Sequence, residues 1–410
     1  MKTGKRKAAA KPARKTAKSA QSARLKVKPA ARAAPGRKPG AVAVRAKVRK
    51  AATRTAKKDA VTKNAATKNA AAKRSTRAPR PFVIDFHAHI AIPEVAAFTA
   101  KAYGTVDSSI PADTPEHLAA ESRQWAANNV RKMQSFDERL RDMDSSGVDM
   151  QVLTSMIIRS CTYWADAETG LKWDRLVNER VAEAVAKKPD RFVGLGSVPL
   201  QAPELAAKEL RRCMGELGLK GVQISSHVYG MELGDAKLDP FWAAAEQSGA
   251  TLFIHPAGSI DKRYAKHQLW NSIGQSIEEA MGMASLWYEG VLDRFPHLKL
   301  CVAHGGGFLP FYAGRVDRNY IEKAHTRVNM SKSPSEYMQQ HFCYDTCLYN
   351  PEMIDYLVKK VGPSRIVCGS DYPVGEEDPA GFILRARGLS NADKAAILGG
   401  NAAQMLGLSI

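Results

Sequence analysis

Phe82-Val83-Ile84-Asp85-Phe86-His87-Ala88-His89 is an apolar run with β-branched residues that ends in two side chains able to bind a metal ion. Such a run is typical of a buried parallel strand, in which His87 and His89 point to the same side. Three further apolar runs end in the same manner, at His255, His304 and Asp371. The carboxyl ends of barrel strands face one mouth, so these five side chains are predicted to converge on one ion.

The rest of the chain supplies the strands that a barrel requires. The strand-like runs are residues 82–87, 149–154, 192–198, 221–226, 251–255, 299–304, 342–345 and 365–370. Stretches with helical periodicity between them include residues 171–189, 202–218, 275–295 and 350–361. Alternation of strands and helices indicates parallel crossovers. We therefore predict an α/β fold, a (β/α)8 TIM barrel over residues 81–410, with an inserted segment near residues 91–135.

Residues 1–80 have a different composition. They contain 27 Lys and Arg and a single acid, Asp59, which gives a net charge of +26. Because the whole chain carries +20, the remaining 330 residues carry −6. The segment is rich in Ala and has almost no large apolar side chains, so it cannot bury enough surface to order itself. We predict a disordered basic tail, followed by one catalytic domain.

The function of this tail has three interpretations. Its composition is similar to that of histone H1-like tails, which bind nucleic acid or another polyanion through phosphates without reading sequence. An Arg-rich, acid-poor leader also resembles an organelle transit peptide. A start codon placed too far upstream is the third interpretation, and it requires a non-Met start because the next methionine is Met133. None of the three assigns the chemistry of the barrel.

The cysteines and the hydropathy of the chain indicate its compartment. The six cysteines include no CxxC pair and several lie in predicted strands, so they are expected to be reduced core thiols in a cytoplasmic protein. The chain contains no apolar run of about 18 residues, so no membrane span is predicted.

The chain resembles the amidohydrolase superfamily, and within it the branch of 2-amino-3-carboxymuconate-6-semialdehyde decarboxylase and related metal-dependent decarboxylases. The resemblance covers about residues 82–407. It rests on the strings 85–89 (Asp-Phe-His-Ala-His), 191–196 (Arg-Phe-Val-Gly-Leu-Gly), 201–205 (Gln-Ala-Pro-Glu-Leu), 221–224 (Gly-Val-Gln-Ile), 255–256 (His-Pro), 303–307 (Ala-His-Gly-Gly-Gly) and 369–373 (Gly-Ser-Asp-Tyr-Pro). It implies a TIM barrel of the metallo-dependent hydrolase type, and the tail has no counterpart in this branch.

The resemblance also implies how many metal ions the site holds. Members with two ions usually bridge them with a carboxylated lysine at the end of the fourth strand, where this chain has Ser225-Ser226-His227. One ion is therefore expected, held by His87, His89, His255 and Asp371, with a position left for water. Zinc is the predicted ion and manganese is the alternative, because ligand type selects weakly among divalent metals.

Other residues receive catalytic and binding roles from the resemblance. In the family, the histidine that matches His304 activates water, and Asp371 also takes a proton during turnover. The alternative roles for His304 are a fifth ligand and a structural core histidine. The glycines after His304 would let the backbone approach a ligand. Arg315 matches an arginine that reaches the site of the neighbouring subunit, which implies a homodimer, and Arg131 corresponds to a second substrate-binding arginine. The match at Arg131 requires a gap in the alignment.

The predicted function is a carboxy-lyase that removes carbon dioxide without oxidation from an unsaturated or aromatic carboxylate. The chain departs from the carboxymuconate-semialdehyde decarboxylase pattern at Ala257 and Val374, where that pattern has aromatic residues, so a differently shaped pocket is expected. Fold and metal alone do not name the substrate. A metal-dependent hydrolase of a lactone or amide is the alternative activity. A nucleic-acid-binding protein that acts through its tail is the second alternative.

Overall fold

The computed structural model of the chain describes residues 80–100, 110, 113–259 and 261–410. The predictions for residues 1–80 therefore lie, except for Arg80, outside the described residues. Arg80 is exposed and forms an ion pair with Asp149, with 2.6 Å between the guanidinium and the carboxylate. No helix of the described residues is long and apolar enough to cross a bilayer.

The strands of the described residues form a closed barrel. They are β1 (Ile84–Ile90), β2 (Met150–Ser155), β3 (Phe192–Gly194), β4 (Gly221–Ile224), β5 (His227–Val228), β6 (Met231–Glu232), β7 (Thr251–Ile254), β8 (Lys299–Val302), β9 (Phe342–Asp345) and β10 (Ile366–Val367). Two parallel sheets have the orders β1-β2-β3 and β10-β9-β8-β7-β4, and β5 and β6 form a separate antiparallel hairpin. Single bridges from Gly196 to Val222 and from Ala88 to Tyr372 join the two sheets at their edges. These bridges close eight parallel strands into one barrel, which confirms the predicted fold class.

Helices connect the strands. Within the described residues they are α1 (Pro93–Thr99), α2 (Glu116–Gln134), α3 (Phe136–Ser146), α4 (Ala167–Lys187), α5 (Pro203–Gly215), α6 (Asp239–Ser248), α7 (Gln275–Tyr288), α8 (Val291–Arg294), α9 (Leu309–Glu322), α10 (Pro334–Gln340), α11 (Pro351–Val361), α12 (Pro379–Arg385), α13 (Asn391–Ala395) and α14 (Asn401–Leu406). Helices α1 and α2 lie in the predicted insertion at residues 91–135. The buried faces of α4 and α5 pack against the barrel strands β2 to β4, as expected for helices that return the chain to the next parallel strand.

The barrel interior is a packed apolar core that is closed at its amino end. Phe86 and Phe253 meet edge to face inside it, with ring centroids 5.6 Å apart. Residues of α14 belong to the same buried cluster. The hydroxyl of Thr251, at the start of β7, donates a hydrogen bond to the Met405 carbonyl oxygen over 3.1 Å. Because α14 covers the amino end, the carboxyl end of the barrel is the mouth at which a site can form.

Three predicted elements differ most from the structure, and the first is the strand expected over residues 192–198, which is reduced to β3. The helix expected over residues 275–295 is divided into α7 and α8 at Gly290, whose φ of +70° belongs to the left-handed region. The strand expected over residues 365–370 is reduced to β10. The Cys368 N–H donates to the Ile397 carbonyl and the Gly369 N–H donates to the Thr346 hydroxyl, so neither extends the ladder. The chain is then free to turn before it reaches Asp371.

Candidate metal centre

Four of the side chains predicted as metal ligands meet at the carboxyl end of the barrel. His87 and His89 lie in β1, His255 directly follows β7, and Asp371 follows β10. One ligand atom from each lies within 4.8 Å of those from the other three, and all four residues are buried. Residues separated by almost 300 positions are therefore assembled at one point, as the strand-end pattern predicted.

The hydrogen bonds of the imidazole Nδ1 atoms fix which nitrogen of each histidine faces this point. His87 Nδ1 lies 2.6 Å from a carboxylate oxygen of Asp345, and His255 Nδ1 lies 3.0 Å from the Pro256 carbonyl. His89 Nδ1 lies 3.0 Å from the hydroxyl of Thr154. The carboxylate and the carbonyl can only accept, so Nδ1 of His87 and of His255 carries the proton. The Thr154 hydroxyl donates to the Ala88 carbonyl, so it accepts from His89 in the same way.

The remaining Nε2 atoms present lone pairs to one another. His87 Nε2 and His89 Nε2 are 3.1 Å apart, and the Asp371 carboxylate oxygen Oδ1 lies 3.4 Å and 3.0 Å from them. Acceptors packed at such distances without a proton between them repel each other, and a cation removes that repulsion. The residues present therefore fit a divalent ion bound by three imidazole nitrogens and one carboxylate.

The protonation states of the cluster suit a cation as well. Burial, together with the neighbouring histidines, holds the pKa of His255 well below its usual 6.5, and burial also lowers the pKa of His89. Burial alone would raise the pKa of Asp371, but the nearby histidines hold it well below 3.8. Neutral imidazoles and an ionised carboxylate are the forms that coordinate metal ions.

Two buried contacts that the sequence did not reveal support β1 and the segment that carries Asp371. Asp85 accepts hydrogen bonds from the N–H and the hydroxyl of Ser370, over 2.9 and 2.6 Å. Arg139, only 1% exposed, donates to the His89 carbonyl over 2.5 Å and lies 4.5 Å from the centre of the Tyr372 ring. Both contacts tie the strand that holds His87 and His89 to its neighbours.

Asp345 is a further buried residue of the centre, and it orients His87. Besides His87 Nδ1, it accepts the backbone N–H groups of Gly305 and Cys347, over 3.1 and 3.2 Å. Sequence reasoning placed Asp345 at the end of a strand without giving it a role. The sequence contained enough information to predict a role for Asp345, because residues at the carboxyl ends of barrel strands all face one mouth, whether they are carboxylates or histidines.

His304 lies beside the four-residue cluster and pairs with a residue that the sequence did not indicate. Its Nδ1 is 2.5 Å from a carboxylate oxygen of Glu279 in α7, and its Nε2 is 3.7 Å from the Asp371 oxygen Oδ2. Burial raises the pKa of Glu279 to about 7. Although burial lowers the pKa of His304, the carboxylates of Glu279 and Asp371 raise it above 6.5. His304 thus holds a proton readily and presents Nε2 towards the cluster.

The two predicted substrate-binding arginines lie outside this cluster. Arg131 is exposed on α2, where it forms an ion pair with Glu138. Arg315 is exposed on α9, and no hydrogen bond or ion pair of its side chain occurs with the residues that the structure describes. Within the described residues, neither arginine forms a hydrogen bond or ion pair with the four-residue cluster or with His304.

A closed parallel barrel with such a buried cluster at its mouth defines a metal-dependent barrel enzyme. The chain belongs to the amidohydrolase family: the family model described as Amidohydrolase, Amidohydro_2, matches residues 84–408. The chain is 36% identical over 276 residues to the 2-amino-3-carboxymuconate-6-semialdehyde decarboxylase of Dictyostelium discoideum, a match that covers 66% of this chain and 76% of the relative. The family predicted from the sequence is confirmed.

Solved structures show the same architecture. The 5-carboxyvanillate decarboxylase of Sphingomonas paucimobilis has 28% identity and a TM-score of 0.70, and the match covers 80% of this chain and 100% of that one. A dihydroxybenzoic acid decarboxylase from Polaromonas sp. JS666, solved with bound manganese and the inhibitor 2-nitroresorcinol, has 23% identity and a TM-score of 0.66. That second match covers 80% of this chain and 97% of the other, and it supports the fold alone.

Proposed function

We propose that this protein is a metal-dependent, non-oxidative decarboxylase of an unsaturated or aromatic carboxylate. The observation that carries the proposal is the position of His304, whose Nε2 lies beside a buried three-histidine, one-carboxylate cluster. Family membership and relatives that are decarboxylases bear out the predicted reaction class. The carboxylate itself is identified only by class, because one barrel supports several substrates.

The proposed ligands are His87, His89, His255 and Asp371. When bound, the cation supplies positive charge that polarises a substrate oxygen or acidifies water. Zinc suits this donor set and stays our predicted ion, and manganese stays the alternative, because ligand type selects weakly among divalent metals. Elemental analysis of purified protein, followed by removal of the metal and reloading with each ion, distinguishes the two.

His304 is the proposed proton-transfer residue. Replacing a carboxylate by hydrogen, with release of carbon dioxide, consumes one proton per turnover, and a positioned imidazole can deliver it. Glu279 accepts the hydrogen bond from Nδ1, so the second nitrogen of the ring is held towards Asp371 and the cluster. We assign His304 as the catalytic acid–base group, Asp371 as a ligand that also takes a proton during turnover, and Glu279 as the positioning residue for His304.

The substrate carboxylate needs a cationic partner besides the metal. Arg315 is proposed for this role from a neighbouring subunit, in keeping with its exposure on α9, where its side chain forms no hydrogen bond or ion pair with the described residues. The dimer itself and a cytoplasmic location stay predictions. Arg131 is retained as a substrate-binding residue only if its ion pair with Glu138 opens.

The test is a substrate panel with metal-loaded protein, in which carbon dioxide release is followed. The panel contains 2-amino-3-carboxymuconate 6-semialdehyde, dihydroxybenzoates, 5-carboxyvanillate and a pyrone lactone. We expect release from at least one carboxylate, none from the metal-free protein, and a rate lower by about 10²–10⁴-fold from His304→Ala. Ring opening of the lactone, with no carbon dioxide from any carboxylate, would favour the hydrolase instead.

A further inference from the structure

A thiol, that of Cys347, lies close to Asp371 and His304. Cys347 is two residues beyond β9 and only 2% exposed. One ligand atom each from His304, Cys347 and Asp371 lies within 4.8 Å of the other two. Ligand atoms around a tetrahedral zinc ion are separated by roughly 3.3–3.8 Å, as follows from bond lengths of about 2.0–2.3 Å. Small side-chain movements would therefore bring these three atoms around one ion.

The two oxygens of Asp371 face different groups of side chains. Oδ1 lies 3.0 Å from His89 Nε2 and 3.4 Å from His87 Nε2, whereas Oδ2 lies 3.7 Å from His304 Nε2. One carboxylate can therefore contribute to two neighbouring cations, one through each oxygen. Carboxylates that bridge ions about 3.5–4 Å apart occur in many two-metal sites.

We propose that His304, Cys347 and Asp371 form a second metal site for a thiophilic divalent cation such as Zn²⁺ or Cd²⁺. The donor set of nitrogen, sulfur and oxygen is softer than the three imidazoles and one carboxylate of the first site. It therefore favours Zn²⁺ and Cd²⁺ over Mn²⁺, which prefers oxygen ligands. Water completes the coordination.

Binding at this site releases protons. The Cys347 thiol loses its proton to solvent as the metal–sulfur bond forms, and His304 must also be neutral at Nε2 to coordinate.

Occupation of the second site has a catalytic consequence, which rests on the role proposed for His304. An ion on Nε2 removes the lone pair that would exchange a proton with the substrate. Excess Zn²⁺ should therefore inhibit the enzyme, whereas excess Mn²⁺ should not. Inhibition by Zn²⁺ but not by Mn²⁺ would make the enzyme more active with Mn²⁺, although the four ligands of the first site select only weakly between the two ions.

The experiment titrates protein that carries one Mn²⁺ per chain with Cd²⁺. Thiolate-to-cadmium charge-transfer absorption in the ultraviolet reports the sulfur ligand, and elemental analysis counts both metals. We expect one added Cd²⁺ per chain, with Mn²⁺ retained and with the absorption band. Cys347→Ser should lose the band and the added equivalent. His304→Gln, which keeps the thiol, should bind the added Cd²⁺ much more weakly.

Cys343→Ser is the matched control, because Cys343 lies in β9 and is partly exposed but is not part of the cluster. It should behave as the parent protein. A total that stays at one metal per chain, or a band that persists in Cys347→Ser, would overturn the second site. Zinc inhibition is measured in the parent protein, in Cys347→Ser and in Cys343→Ser, each relative to its own zinc-free rate. A thiolate-to-cadmium absorption band without zinc inhibition would support the second site but would overturn the role of His304 in the proposed function.

Discussion

Asp345→Asn tests whether the centre depends on the orientation of His87. In the parent protein, one Asp345 oxygen accepts two backbone N–H groups, from Gly305 and Cys347, and the other accepts His87 Nδ1–H. An asparagine that keeps the two backbone contacts presents its NH₂ group to His87. The imidazole must then accept at Nδ1 and carry its proton on Nε2, which removes the lone pair that faces the other ligands.

The expected loss of metal affinity follows from the hydrogen bond that is removed. A hydrogen bond to a charged group contributes about 1.5–3 kcal/mol, and partners behind metal-binding histidines typically change affinity about 10–100-fold, equivalent to about 1.4–2.8 kcal/mol. We therefore expect the metal Kd of Asp345→Asn to rise by a factor of this size. Competition with a chelator of known affinity measures it.

Asp355→Asn is the control for this substitution. Asp355 also accepts a backbone N–H, from Gly388 over 3.0 Å, but it lies on α11, and its contact does not involve the metal centre. Its metal affinity should equal that of the parent protein. An unchanged Kd in Asp345→Asn, with the fold intact by circular dichroism, would refute the assignment of His87 Nε2 as the ligand atom.

The remaining predictions concern the ligands, the proton-transfer pair, the tail and the dimer. His87→Ala or Asp371→Ala should reduce bound metal well below one per chain and abolish turnover, because each removes a quarter of the proposed ligands; full occupancy in both would contradict the ligand set. His304→Ala should keep its metal and lose about 10²–10⁴-fold in rate, whereas a metal-poor variant would make His304 a ligand. The charge of Glu279 raises the pKa of His304, so Glu279→Gln should lower the pKa of His304. If protonated His304 donates the proton, the limb of the pH profile on which the rate falls with rising pH should then move to lower pH. A limb that does not move would show that Glu279 does not raise the pKa of His304. Deletion of residues 1–80 should leave melting temperature and turnover nearly unchanged but sharply reduce retention on DNA or polyanion resin, since these residues carry a net +26; a truncated barrel that does not fold would show that the tail packs against it. Arg315→Ala mixed with His87→Ala should recover part of the activity if Arg315 acts across a dimer, and no recovery despite confirmed subunit exchange would exclude that role.

The clustering of the four proposed metal ligands could be predicted from sequence, because each residue follows from a local pattern. A buried strand has a recognisable composition, its side chains alternate, and the carboxyl ends of barrel strands all face one mouth. His87, His89, His255 and Asp371 each lie in or just after such a strand, so no knowledge of the packing was needed to bring them together. The same rule applies to Asp345, which was overlooked because it acts through His87.

Glu279 could not be predicted in this manner, because nothing near it in sequence distinguishes it from other acidic residues on a helix. Its role depends on how closely α7 approaches the segment after β8. For Arg131 and Arg315, the family resemblance predicted a role in substrate binding, but it did not predict the position of either side chain in the fold. Whether an exposed arginine reaches a substrate depends on a partner subunit or on a loop movement, and neither is specified by local sequence.

The glycines after His304 explain why Glu279 can lie beside His304. Sequence reasoning predicted that they let the backbone approach a ligand, but in the structure they make room for the chain itself. A Cβ at Gly307 would lie 2.3 Å from the Ser276 carbonyl oxygen and 3.0 Å from a Glu279 carboxylate oxygen, so a side chain there would push α7 away. Without that approach, the hydrogen bond from His304 Nδ1 to the Glu279 carboxylate could not form. His304 itself has a φ of +50°, a conformation that is costly for a residue with a side chain and is retained where the surroundings enforce it. Both the small residues of this turn and the strained backbone of His304 therefore help to hold His304 Nε2 towards Asp371.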